Sequence, residues 1–467
     1  RWMRRLDPYP IVIILLALFP IGPLLQSGYF WDAHDARHSV YFLFEFDQGI
    51  QDSILYPRWQ PDFAFGHGYP FFNIYGPLST YVGEAFHLLG LGFTDAVKVV
   101  FALSIIGSGL AMYGFVKQIM GRQAGLVAAV AYMVIPYRLV DVYVRAALAE
   151  SVAYVFVPLV LWGVWATLHR PRLANVVGLA FAYAALMFTS PLVTLLLTLI
   201  LVFYVAVLAL ARINDAQPWR ELSRESIFPL LGHLGHVLVP TGAGLILGLG
   251  LSALFAVPAM TENAFVRVDQ WYGGRYAWGG DFVEFFQLFS PRWGFGASVP
   301  GPGDQVSFQL GAVPVVLSLL SLEVLWRRRR DTLRNRSSAR QTAFFAVLTG
   351  VIIFLMLGIS APLWDALPLA RLAQFPWRLL TLTVVSMAFL CGVVARRGHR
   401  DARLPGTSTL VLVALLMLGS LPYMQAEMSE REVSIAGLMQ FQQSSDEMTG
   451  STARGHQVPS WSSMADY

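Results

Sequence analysis

The octapeptide Trp31-Asp32-Ala33-His34-Asp35-Ala36-Arg37-His38 follows closely on the first apolar run of the chain. Carboxylates and imidazoles just beyond a hydrophobic segment suit proton transfer or metal binding. Asp35 and His38 are three residues apart, so on a helix they share one face. Asp35 also stands where it could cap an amphipathic helix from Arg37 to Ile50, and both uses of the carboxylate stay open. The same loop continues with Tyr56-Pro57-Arg58-Trp59 and then Gly66-His67-Gly68-Tyr69-Pro70, ending near Tyr75. Aromatic rings set among Gly and Pro make a rigid, irregular surface. It suits stacking on sugars or forms an interfacial aromatic belt.

A second group of charges lies at the edges of apolar runs. Arg138, Asp141 and Arg145 sit at helical spacing and can neutralise one another. Arg145 and Glu150 fall near the end of an apolar run, where charge is costly unless paired or used. Such a guanidinium could hold a lipid phosphate bidentately or serve a structural ion pair. Arg378 follows Gln374-Phe375-Pro376-Trp377, with Pro suited to a helix start and Trp to the interface. Asp365 is its nearest candidate acid. Glu262, Asp269, Trp271, Tyr272, Arg275, Tyr276, Trp278 and Asp281 add a mixed polar and aromatic stretch. A P-loop, GxGxxG after a strand, HExxH and GxSxG are all missing, which argues against ATP-driven pumping and zinc proteolysis of the usual kinds.

The elements that must position these residues are membrane spans. Of 467 residues, 56% are hydrophobic and 13% charged, with mean hydropathy +0.55. A soluble chain carries roughly 25% charged residues. Apolar runs long enough to cross hydrocarbon occur at about 10–27, 96–116, 123–137, 148–168, 173–188, 191–211, 235–258, 309–326, 341–359, 377–395 and 408–424. The expected fold is therefore an all-α polytopic membrane protein with about 11 transmembrane helices. The stretch at 76–92 holds Glu84 and His87 and reads as re-entrant or interfacial.

About 21 of the 33 basic residues fall in alternate short loops, which places the amino terminus inside and the carboxyl terminus outside. The long loops at about 28–95 and 261–308 then face outward. Residues 1–424 form the membrane domain, and 425–467 an outer polar tail that leads to a further domain or linker. The first apolar run reads as a signal anchor. A start without Met and a Ser-rich end suggest part of a longer polypeptide. The net charge of +4 comes from short loop clusters and not from one basic face, so no nucleic-acid partner is expected. The single cysteine, Cys391, excludes an internal disulfide and a thiolate metal site.

His34-Asp35 with His38, Tyr56 to Trp59, Gly66 to Tyr75, Pro136-Tyr137 with Arg145 and Glu150, and Gln374 to Arg378 occur in that order. In these the chain resembles the bacterial membrane proteins labelled 6-pyruvoyl-tetrahydropterin synthase-related, which are placed near the GT-C superfamily of lipid-linked-sugar glycosyltransferases. The resemblance implies residence in the bacterial cytoplasmic membrane and a long outer first loop with interfacial helices. It also implies a polyprenyl-phosphate sugar donor taken from the bilayer. On that pattern Asp35 is the general base. His38 orients it or joins it around a divalent metal (Mg or Mn). Arg145 and Arg378, with Arg58 as a weaker candidate, hold the donor phosphate. Trp59, His67, Tyr69, Tyr75 and Glu150 shape the sugar pocket. Two other classes remain: a non-catalytic scaffold subunit with protein partners in a membrane complex, and a lipid or solute transporter.

Overall fold

The computed structural model describes residues 7–216, 227–262, 278–296, 298–299, 301–327, 333–367, 372–396 and 404–445. Helices carry them almost entirely. In chain order these are α1 (Tyr9–Ile21), α2 (Ala36–Gln51), α3 (Leu78–Leu88), α4 (Phe93–Met120), α5 (Arg122–Val134), α6 (Pro136–Tyr143), α7 (Leu148–His169), α8 (Leu173–Thr189) and α9 (Pro191–Ala216). There follow α10 (Ile227–Leu251), α11 (Ala253–Thr261), α12 (Ala312–Arg327), α13 (Leu333–Met356), α14 (Ala361–Ala366), α15 (Leu380–Val394), α16 (Thr407–Ser420) and α17 (Ile435–Ser445). Among the described residues extended pairing is limited to isolated bridges, such as Tyr29 with Ser429. This is the all-helical, multi-pass membrane architecture expected from hydropathy.

Helix covers all eleven apolar stretches, though not all as single rods. Among the described residues five helices are long and apolar enough to cross alone, and two more candidates are bent pairs. The stretch at 123–137 continues into α6 through a 42° bend, and the one at 235–258 breaks into α10 and α11 at 72°. The first bend has a local cause. Pro136 lacks an amide hydrogen and starts a new helix, so α5 stops at Val134. The runs at α1, α8 and α16 form shorter apolar helices. α3 has eleven residues, too few to span about 30 Å, in keeping with its reading as non-spanning.

The centre of the bundle is α4, α5, α7 and α15. α4 packs against α5 and α7, and α15 against α5, α12 and α13. Nearly every residue of α5 and α15 is buried. Small side chains permit this closeness: a Cβ at Gly392 would come within 2.7 Å of the Ala124 carbonyl. By contrast, Phe181, Phe203, Val239 and Ile246 are more than 60% exposed. Those faces suit lipid, because a soluble chain rarely presents such an apolar surface.

The first long loop is ordered by its own helices. α2 is amphipathic and lies beside α3 and α4. Part of the 425–467 segment, read as an outer polar tail, is docked on this loop. Tyr29 and Ser429 exchange backbone hydrogen bonds of 2.9 Å each way. Gln442 donates to the Asp62 carbonyl and accepts from the Phe65 amide, at 3.1 and 2.9 Å. The serines at 451, 460, 462 and 463 lie outside the described residues.

Candidate functional site

The start of the first loop is pinned to the α6–α7 junction. The amides of His34 and Asp35 donate to the carbonyls of Val144 and Arg145, at 3.0 and 2.7 Å. Asp35 therefore stands beside Arg145, 110 residues further along the chain. It occupies the N-cap position of α2, yet its side chain makes no cap hydrogen bond. The carboxylate is half-buried and not spent on capping, and it lies where a helix N-terminus favours negative charge.

His38 lies in the first turn of α2. Its buried imidazole packs between Phe42 and Phe441, with ring centroids 5.9 and 5.4 Å away. The rule that residues three apart share a face applies within a helix. Asp35 precedes the first helical turn and does not follow it. The imidazole tied into the neighbourhood of Asp35 is that of His34, whose Nε2 is 3.0 Å from the Gly296 carbonyl. Burial lowers the pKa of His34, partly offset by the nearby Asp35 charge. Among the described residues no three His, Cys, Asp or Glu side chains gather as a metal site, so the proposed pairing of Asp35 with His38 around a metal has no further protein ligands there.

Next to Asp35 the second charge group forms a connected network. Arg138 is fully buried and donates to Asp141 at 3.2 Å, to Ser151 Oγ at 2.7 Å and to Ser104 Oγ at 2.9 Å. Its guanidinium also lies over the Tyr154 ring. Arg145 Nη1 contacts Asp141 at 3.0 Å, Glu150 at 2.6 Å and the Tyr137 hydroxyl at 3.1 Å. Thr381 of α15 donates to the other oxygen of Glu150. The helical spacing of Arg138, Asp141 and Arg145 is thus realised as mutual neutralisation. Two guanidiniums and two carboxylates balance, which is the condition for burying charge. Ser104, Ser151 and Thr381 are partners that the sequence did not single out, since a lone hydroxyl in an apolar helix carries no signal.

Arg378 differs from Arg145. It shares the Trp377 indole with Arg145, the guanidinium carbons lying 6.0 and 5.0 Å from that ring. Its Nη1 donates to Gln374 Oε1 at 2.5 Å. Among the described residues no carboxylate lies within ion-pair distance of it, and its buried Nε has no hydrogen-bond partner. Asp365, the acid expected to pair with it, is exposed on α14. Arg138, Arg145 and Arg378 thus face Asp141, Glu150 and the neighbouring Asp35, and Arg378 is the one of the three arginines without a carboxylate in ion-pair contact among the described residues. Two non-glycine residues in left-handed backbone flank this group: Ala146 at φ 51° and Gln374 at φ 61°. Such conformations cost about 1–3 kcal/mol and collect where geometry is functional.

The remaining candidates divide. Tyr75 is close to the network, with burial and then the Asp35 charge raising its hydroxyl pKa. Gly76 beside it has no room for a Cβ, which would meet the Phe188 and Thr189 carbonyls at 2.5 and 2.6 Å. Arg58 is directed elsewhere: it donates to the Leu254 carbonyl at 2.9 Å and stacks on Tyr56. Trp59 and His67 are exposed, while Tyr69 is buried and its backbone pairs with that of Gln60. Asp269, Trp271, Tyr272, Arg275 and Tyr276 lie outside the described residues.

No protein-family model matches the chain, so that comparison lends no support to the pterin-synthase-related family label. An uncharacterized protein of Lactococcus lactis subsp. cremoris (strain MG1363) is 22% identical over 258 residues, which is 54% of this chain and 39% of that protein. The chain thus spans about two fifths of that relative's length. Among solved structures, that of ArnT from Cupriavidus metallidurans bound to undecaprenyl phosphate is similar at 12% identity. The match covers 92% of this chain and 87% of that one, with a TM-score of 0.36.

Proposed function

We propose that this protein is a membrane glycosyltransferase of the bacterial cytoplasmic membrane, taking a sugar from a polyprenyl-phosphate donor on the outer face. The observation that carries the reading is Arg378. A partly buried guanidinium with no carboxylate in ion-pair contact among the described residues leaves donors for an anion, and a lipid phosphate has the matching oxygen geometry. Asp35, anchored to the Arg145 backbone, is the general base that removes a proton from the acceptor hydroxyl as the hydroxyl attacks the anomeric carbon. The bond from that carbon to the phosphate oxygen breaks, and the phosphate leaves with its electron pair toward Arg378. Arg145 acts indirectly, through its ion pairs, by holding the Trp377 and Asp35 neighbourhood in place. In this reading His38 takes no catalytic part, Arg58 is not a ligand of the donor phosphate, and Trp59, His67 and Tyr69 are not assigned to the sugar pocket.

The test uses the full chain in lipid nanodiscs. Native mass spectrometry reads binding of undecaprenyl phosphate, and turnover is followed with polyprenyl-phosphate hexoses. Asp35→Asn is expected to bind the phosphate as wild type does while losing turnover by about 10²–10⁴-fold, the usual contribution of a general base. Near-normal turnover in that variant removes Asp35 from the mechanism. The ion pairing of Arg145 favours a second reading, a scaffold whose charges are structural. Failure of wild type to retain undecaprenyl phosphate would select it.

A further inference from the structure

α10 is long enough to cross the membrane by itself. Its 25 residues rise about 37 Å at roughly 1.5 Å each, against about 30 Å of hydrocarbon. The 72° bend that follows turns α11 toward the membrane plane. α11 is apolar from Ala253 to Met260. One side is packed: Phe255 and Ala256 are buried, with the Phe255 ring against Phe188. The other side is open. Leu254, Val257 and Met260 stand three apart, so they share a face, and they are 60%, 54% and 77% exposed. This face follows directly on Ile246, Leu247, Leu249 and Leu251, exposed apolar residues at the end of α10.

The first loop holds this helix at both ends. Pro258 has no amide hydrogen, so the Leu254 carbonyl lacks its usual donor four residues on. Arg58 takes that place, donating through Nη2 at 2.9 Å. At the far end Asn73 donates to Glu262 at 2.7 Å. The Arg58 guanidinium also lies 4.7 Å from the Tyr56 ring centre, so it is fixed in place. Its contacts among the described residues include no carboxylate. A guanidinium carries five N–H donors, and most of them are left for an anion. Trp59, the next residue, is exposed and has the ring type that collects at the level of lipid headgroups.

We infer that α11 lies in the headgroup boundary of the bilayer, with Leu254, Val257 and Met260 against the acyl chains and Arg58 on the phosphate of an anionic phospholipid. Two observations choose lipid over a protein partner. The open face continues, through the bend, the apolar surface that α10 presents to hydrocarbon. The cation at its edge has no carboxylate among the described residues, and a phospholipid supplies acyl chains and a phosphate together. A zwitterionic lipid brings its own cation to that phosphate, so Arg58 favours a lipid of net negative charge. The first loop, which carries Asp35, is thereby tied to the bilayer through Arg58. The surface stands whether or not the protein transfers a sugar, since it includes neither Asp35 nor Arg378.

Bimane fluorescence on the full chain in phosphatidylcholine nanodiscs tests this. The label goes on Val257→Cys or Met260→Cys, with Glu432→Cys, exposed on the docked segment, as the aqueous control. Cys391 is fully buried and stays unlabelled. The quenchers are phosphatidylcholine and phosphatidylglycerol that carry a doxyl group high on one acyl chain. Both should quench at the two α11 sites and neither at the control. Next to Val257 the glycerol lipid should bind about fivefold more tightly than the choline lipid, the value of one arginine near an anionic surface. Arg58→Gln should bring that ratio to one while quenching persists. A merely structural loss of the tie to Leu254 would not depend on the lipid headgroup. No more quenching at the α11 sites than at the control overturns the inference and leaves the face to a protein partner. A headgroup ratio of one in wild type, or a ratio that Arg58→Gln leaves unchanged, overturns the assignment of Arg58.

Discussion

Arg145 and Arg378 touch the same indole but should fail in opposite ways when neutralised. Arg145→Gln removes a side chain that is 6% exposed and bonded through one nitrogen to Asp141, Glu150 and Tyr137. Asp141, whose side chain is fully buried, then keeps Arg138 as its only cation, while Glu150 keeps only the Thr381 hydroxyl. Glu150 loses its ion-pair partner and Asp141 one of its two, and breaking a buried pair in this way costs about 3–5 kcal/mol. That approaches half of a typical folding free energy of about 5–15 kcal/mol. Arg378→Gln removes a cation with no carboxylate among the described residues and forfeits one hydrogen bond to Gln374. Its cost should be about 1 kcal/mol, reduced by relief of the unpaired charge. The assay is unfolding of both variants and wild type in one detergent, followed by undecaprenyl phosphate retention. Arg145→Gln should unfold far earlier. Arg378→Gln should unfold near wild type yet retain at least tenfold less lipid phosphate, the loss of a charged hydrogen bond. Equal stability of Arg145→Gln and wild type would refute the structural role of the network. Matching destabilisation by Arg378→Gln would refute the claim that this arginine is held for a ligand.

Two further expectations concern the first loop. Burial, with the Asp62 charge adding to it, pushes the Glu45 carboxyl from 4.5 up to about 8. The folded state then binds this proton more tightly than the unfolded state, so the stabilisation is full below pH 4.5 and lost as pH rises through about 8. At about 1.4 kcal/mol per pH unit the limit is roughly 5 kcal/mol. Thermal midpoints of wild type should fall from pH 5 to pH 9 more steeply than those of Glu45→Gln, and parallel profiles would contradict the assignment. Gln442→Leu should cost both hydrogen bonds to the 62–65 turn, about 1–3 kcal/mol in all. Limited proteolysis should then cut the 59–69 segment or the 429–445 segment faster than in wild type; unchanged cleavage would mean the docking does not rely on Gln442.

Composition and hydropathy sufficed to specify a multi-pass helical protein, because a bilayer demands long apolar runs whose backbone is satisfied within each helix. The i, i+3 and i, i+4 spacing of Arg138, Asp141 and Arg145 likewise announced its own ion pairs, since helical geometry is local and repeats at 3.6 residues. The role of Glu150 as a partner was readable from its nearness to Arg145. The same local rule does not by itself settle how His38 stands to Asp35, because Asp35 lies at the helix cap and not within the helix. Backbone hydrogen bonds to Val144 and Arg145, not spacing, decided where Asp35 stands. Tertiary structure alone gathered Arg378 and Arg145 on Trp377, brought Thr381 to Glu150, and folded residues 429–445 onto the first loop. Each of these joins segments more than 200 residues apart. Sequence records which groups need a partner, through burial and charge; the choice among distant partners follows only once the helices are packed and the strained backbones at Ala146 and Gln374 have aimed their neighbours.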